Sequence, residues 1–114
     1  MILHSLPDGT LHVARVDSDR IDVQSAIPFK DSIRELAQSS ATRIILDLSR
    51  VNFIDSTGIA AIASADRALR PSQTMELASV TPHVLQVFQL TGLDRTFHIH
   101  SDLTSALGSS EQAG

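Results

Sequence analysis

The chain predicts one layered α/β domain, a mixed sheet with helices packed on it, and three observations carry that expectation. Its 114 residues suffice for one hydrophobic core and not for two. After an opening hairpin, short apolar runs alternate with segments of helical periodicity. One run, "RIILDL" at residues 43–48, is apolar at nearly every position, which marks a strand covered on both faces and hence central in the sheet. No internal repeat or low-complexity segment is apparent.

The elements follow in order. "ILHSL-PDGT-LHVARV" reads as two strands around a Pro-Asp-Gly turn, where proline presets one turn residue and glycine accepts positive φ. After "DSD", "RIDV" forms a further short strand. "AIPFKDSIRELAQSS" carries Phe29, Ile33, Leu36 and Ala37 at i, i+4, i+7 and i+8, the spacing of an amphipathic helix, with Pro28 near its first turn. From Thr57 to about Leu69 the alanine-rich run "TGIAAIASADRAL" is a second helix, with Ile59, Ile62 and Ala63 facing the sheet. "PSQ" breaks it, and "TMELASV" is a strand. "PHVLQVFQLTG" places Val84, Val87 and Phe88 at helical spacing and closes on Gly92. "FHIH" is a last strand and "SDLTSAL" a final helix. The boundaries are residues 1–108 for the domain and 109–114 for a polar tail with nothing to bury.

Composition narrows the function. A formal net charge of −4, no extended Lys/Arg cluster, and no tryptophan or tyrosine argue against nucleic-acid binding. The four phenylalanines read as core. Apolar runs fall far short of the ~18 residues of a membrane span. Zero cysteines and the lack of a secretory pattern in "MILHSLPDG" fit a reducing, cytoplasmic home.

The stretch "FIDSTGIAAI" holds the chemistry. Asp55, Ser56, Thr57 and Gly58 lie between the apolar segment "VNFI" and the second helix, where Asp, Ser and Thr cap orphaned N–H groups. A helix N-terminus beside a glycine is equally a seat for a phosphate, which a hydroxyl there could carry. Enzymatic readings fit poorly. Asp-Ser-Thr-Gly has one residue too many for an aspartic protease motif, whose chemistry needs two carboxylates sharing a proton. "VARVDSD" resembles the start of phosphatases that form an aspartyl phosphate, but the chain lacks room for the rest. Asp47, at the end of its strand, fits the place of a receiver-type phosphoacceptor, but the early acidic pair for Mg²⁺ is not at the end of a clear first strand. His98 and His100 face one side of a strand with no third metal ligand nearby and read as surface residues. Asp17, Asp19 and Asp22 miss the spacing and the glycine of a calcium loop. No G-x-S-x-G, P-loop or dinucleotide signature is present, so no catalyst and no cofactor are expected.

Taken together, "RIILDLSRVNFIDSTGIAAIASADRAL" resembles the central segment of STAS domains, in particular bacterial anti-sigma factor antagonists. "DRIDVQSAIPFKDSI", "ASVTPHVLQVFQLTGLDRTFHIH" and "SDLTSAL" are similar to the family's flanking segments, so the resemblance runs from about Thr10 to Leu107. It implies a mixed sheet of four to six strands with an N-terminal hairpin and helices mainly on one face. It also implies a binding module rather than an enzyme, switched by phosphorylation of Ser56 by an anti-sigma factor serine kinase and restored by a metal-dependent serine phosphatase. The unphosphorylated form binds the kinase and frees the sigma factor, with the chain itself a monomer or weak dimer. Asp22 matches an early acidic position of partner contact, and Asp55, Ser56, Thr57 and Gly58 complete the docking set. The turn "RPSQT" and Ala60 depart from the family pattern, which often has glycine at these places. The family also supplies small subunits of ABC-type lipid transporters that bind the ATPase, the alternative to the switch.

Overall fold

Two antiparallel strands, β1 (Leu3–Asp8) and β2 (Leu11–Val16), open the chain. The computed structural model describes the backbone of residues 3–8 and 10–113 and the side chains of residues 10–108. Pairing continues through Pro7 and Asp8, opposite His12 and Leu11, so these two residues of the expected Pro-Asp-Gly turn belong to the strand. Proline is tolerated there because β1 is an edge strand. The expected positive φ of Gly9 lies outside the described residues.

The chain continues through β3 (Arg20–Ile21), α1 (Ala26–Gln38), β4 (Arg43–Asp47), β5 (Phe53–Ile54), α2 (Ser56–Ala68) and β6 (Thr74–Ala78). It ends with α3 (Pro82–Thr91), α4 (Leu93–Thr96), β7 (Ile99–His100) and α5 (Leu103–Ala113). The five-stranded sheet has the order β1-β2-β4-β6-β7, antiparallel at its first pair and parallel at the other three. β4 is central, as its unbroken apolar character requires. β3 and β5 form a separate two-stranded parallel ribbon.

The period of two along each strand divides the residues between two layers. Ala14, Val16, Ile44, Leu46, Met75 and Leu77 point into the main core, where they meet Phe29 and Ile33 of α1, Ile62 of α2 and Val84 and Phe88 of α3. Fully burying side chains of this size contributes about 1.5–3 kcal/mol each. On the other face Val13, Ile45 and Ala78 pack against Ala106 of α5. The helices therefore lie mainly on one face, with α5 alone on the other. Its backbone continues through residues 109–113, the segment read from sequence as a tail.

Three details depart from the sequence reading. In α2 the sheet-facing residues are Gly58, Ala61, Ile62 and Ala65, while Ile59 and Ala63 are only partly buried. Small side chains let α2 approach closely, and the buried arc is centred one position away from the expected one. Gly92, at φ 83°, ends α3 as expected but also starts the short α4, which the sequence reading missed. Of the phenylalanines, Phe53 is 43% exposed and lies under the Arg20 guanidinium, 5.6 Å from the ring centre, rather than in the core.

Candidate functional site

The parallel ribbon builds the site. Ile21 pairs with Ile54, so the next residues along, Asp22 and Asp55, leave the ribbon side by side. The Asp55 N–H donates to the Ile21 carbonyl at 3.4 Å, which ties the two exits together. Residues 33 positions apart in sequence thereby meet at one edge, each at the entrance to a helix.

Asp55 is the N-cap of α2. Its backbone is extended, its Oδ1 accepts from the Gly58 N–H at 2.8 Å, and its carbonyl accepts the first intrahelical bond, from Ile59, at 2.9 Å. Of the hydroxyl and acid candidates, it is therefore Asp55 that caps. Ser56 is the first helical residue and is exposed, and Thr57 is half-buried. Gly58 is buried, and its role is packing: a Cβ there would sit 2.1 Å from the Ile21 carbonyl oxygen and 2.8 Å from Ile54 Cγ1. Only glycine lets the first turn of α2 rest on the ribbon.

Asp22 closes the turn that leads into α1, whose N-cap is Ser25. Its Oδ1 accepts from the Gln24 N–H at 3.1 Å, the Ser25 N–H at 3.2 Å and the Ser25 hydroxyl at 3.2 Å. Its Oδ2 lies 4.0 Å from the Arg20 guanidinium. The structure thus brings all five sequence-predicted residues to one corner: a capping acid, an acid that closes the preceding turn of the other helix, an exposed hydroxyl, a threonine and the glycine that seats α2. In the same segments Phe53, Val23 and Ile27 are exposed apolar residues.

The remaining candidates lie elsewhere. Asp47 is buried at 8% exposure, with its Oδ1 accepting from the Ser49 N–H at 2.9 Å. Among the described residues no group of three or more His, Asp or Glu is arranged to hold a metal ion. Asp47 thus lacks both the exposure and the acidic company of a receiver phosphoacceptor. Asp17 pairs with Arg50, and Asp19 with Arg20. His98 and His100 do stack, with ring centres 4.3 Å apart, but only His98 is a surface residue. His100 is buried because its Nε2 meets Glu76 Oε1 at 2.6 Å.

Glu76 organises a polar cluster that the sequence reading missed. Arg43 donates to both of its oxygens, at 2.6 and 2.7 Å, and to the Ala106 carbonyl of α5 at 2.9 Å. The bidentate Arg43 pairing, aided by His100, overcomes the desolvation of the carboxyl and pulls its pKa down to about 2. Arg43 is raised in turn, chiefly by the same hydrogen bond. The cluster sits on the face away from Ser56 and fastens α5 to the sheet. Its signal in sequence was a charged residue in the buried phase of each of two strands, Arg43 and Glu76.

Comparison with known proteins places this geometry. Residues 8–106 match the family described as STAS domain. The anti-sigma-F factor antagonist RsfB of Mycobacterium tuberculosis is 29% identical over 87 residues, covering 76% of this chain and 71% of that protein. An anti-sigma-B factor antagonist of Listeria monocytogenes is 25% identical over 91 residues, covering 79% and 80%. The crystal structure of an anti-sigma factor antagonist from Mycobacterium paratuberculosis superimposes with a TM-score of 0.83 at 26% identity, over 94% of this chain and 91% of that one.

Proposed function

The chain belongs to the STAS domain family, and from that premise we propose that it is an anti-sigma factor antagonist: a binding module that regulates transcription by capturing an anti-sigma factor. Its similarity to the mycobacterial and listerial antagonists supports this reading. The use of the same domain as a transporter subunit draws nothing from those relatives. Among the described residues no helix is long and apolar enough to cross a membrane, and the partners we propose, a serine kinase and a metal-dependent serine phosphatase, are those of a cytoplasmic monomer or weak dimer.

The observation that carries the reading is the position of Ser56. It is an exposed hydroxyl on the first turn of a helix, immediately after a cap that leaves it free of the capping role. A kinase can reach it, and the helix dipole tolerates the product. Phosphorylation adds about −1.5 to −2 charges beside Asp55 and Asp22. A partner surface shaped for the unmodified corner then meets bulk and excess negative charge, and affinity falls without a change of fold. Asp22, Asp55 and Thr57 frame the contact, while Gly58 acts indirectly by holding α2 on the ribbon. The module itself needs no cofactor and catalyses nothing.

The experiment is site mapping: incubate the protein with ATP and its anti-sigma factor kinase, then locate the phosphate by mass spectrometry. The expected product is a single acid-stable phosphoserine at Ser56, lost in Ser56→Ala. Modification at another residue, or none in a mixture that forms the complex, contradicts the proposal.

A further inference from the structure

A cleft of about 360 Å³ lies between α1 and α2, lined by Lys30, Ile33 and Arg34 of the first helix and Ser64, Ala65 and Arg67 of the second. Three of the nine basic residues of a chain with net charge −4 converge there. Neither Lys30 nor Arg67 has an ion-pair partner among the described residues. Arg34 meets only the exposed Asp31, at 3.0 Å, a pairing that water largely screens. The floor is apolar, from Ile33 and Ala65, and Ser64 adds a hydroxyl whose proton is given to the Ala61 carbonyl at 3.0 Å. Three basic side chains and one hydroxyl thus line the same cleft.

The cleft shares α2 with the Ser56 corner. Ser56, Ala60, Ala63 and Arg67 fall at i, i+4, i+7 and i+11 of α2, one helical face, with Ser56 and Arg67 separated by roughly 16 Å along the axis. Between them the side chains are only methyl groups, so a partner element can lie close to the helix. The two ends carry opposite charge: Asp22 and Asp55 beside Ser56, and Lys30, Arg34 and Arg67 at the far end. We infer that the α1–α2 cleft receives an acidic segment of the same anti-sigma factor kinase that docks at Ser56, fixing the partner's orientation along α2. This rests on the proposed function and adds a second, oppositely charged contact to it. Opposed charges at the ends of one docking face steer encounter and exclude the reversed pose, because reversal would set like charges together at both ends.

The test compares the wild-type protein with the Lys30→Glu/Arg67→Glu double variant for binding to the kinase, measuring affinity and association rate at low and moderate salt. The double variant, folded by circular dichroism, is expected to bind about tenfold more weakly or worse, through slower association and with a flatter salt dependence. Lysine substitution of the kinase's contacting acidic residues should restore it. Wild-type binding with an unchanged double variant overturns the cleft contact and leaves the Ser56 reading standing. Absence of wild-type binding overturns both. A cleft built for a small anion would instead show ATP or inorganic phosphate shifting the Lys30 and Arg67 resonances while the double variant kept full kinase affinity, and that too overturns the inference.

Discussion

At Ser56 the decisive quantity is what its hydroxyl is not asked to do. Asp55 supplies the cap, so removing the Ser56 oxygen leaves the helix start intact. Ser56→Ala should therefore unfold within about 0.5 kcal/mol of wild type in urea titration, keep partner binding, and resist the switch. Asp55→Ala removes the Gly58 contact and should cost about 1 kcal/mol in the same assay. Gly58→Ala should be worse than either. Its new Cβ would meet backbone at 2.1 Å, and an atom of Ile21 that belongs to the ribbon cannot swing aside. A loss of about 2 kcal/mol or more is expected, with reduced binding because the ribbon and the helix start part. A Gly58→Ala protein as stable as wild type would contradict the packing role. This corner was legible in sequence because its capping chemistry is local: Asp, Ser, Thr and Gly within four positions. What was not legible was the division of labour, since a cap and an acceptor use the same residue types and only the fold says which oxygen reaches Gly58.

Among the elements, those with long period signals and the short strands β3 and β7 were read, while β5 and α4 were not. α1 shows the expected Phe29, Ile33, Leu36 and Ala37 stripe, and β4 lies central as its apolar run required. β3 and β5 have two residues each, too few to display any period, yet their pairing is what joins Asp22 to Asp55. The Arg43–Glu76–His100 cluster was invisible for a related reason, because its members lie 33 and 24 positions apart and meet only through strand register. That cluster gives α5 a pH dependence with a definite sign. Glu76 is held at about 2 in the folded protein against an ordinary value of 4.5, so the unfolded chain takes up the proton first as pH falls. Its contribution is complete above about pH 4.5 and is lost progressively toward pH 2. Thermal unfolding of Glu76→Gln should accordingly show a flatter acid limb than wild type. Glu76→Ala, which strands a largely buried Arg43, should lose roughly 3 kcal/mol at neutral pH. Equal acid limbs for wild type and Glu76→Gln would exclude the cluster as a fastening for α5.

Across the whole molecule the two faces of the sheet divide the work. The proposed docking residues gather on the α1–α2 side, around the ribbon, while α5 and its ion cluster close the opposite side. Because the proposed switch would act at a surface corner already built around a helix N-terminus, phosphorylation should leave the far face unchanged. Amide resonances of residues 20–25 and 53–60 should move on modification, and those of β6, β7 and α5 should not. Asp22 and Asp55 already stand at that corner, so a phosphate there adds charge of the sign they carry. The most direct measurement is the affinity of the anti-sigma factor kinase for the protein before and after stoichiometric phosphorylation at Ser56, at fixed ionic strength. Tight binding of the unmodified form, and at least a tenfold weaker complex once Ser56 carries phosphate, is the predicted result; equal affinity for the two forms would contradict it.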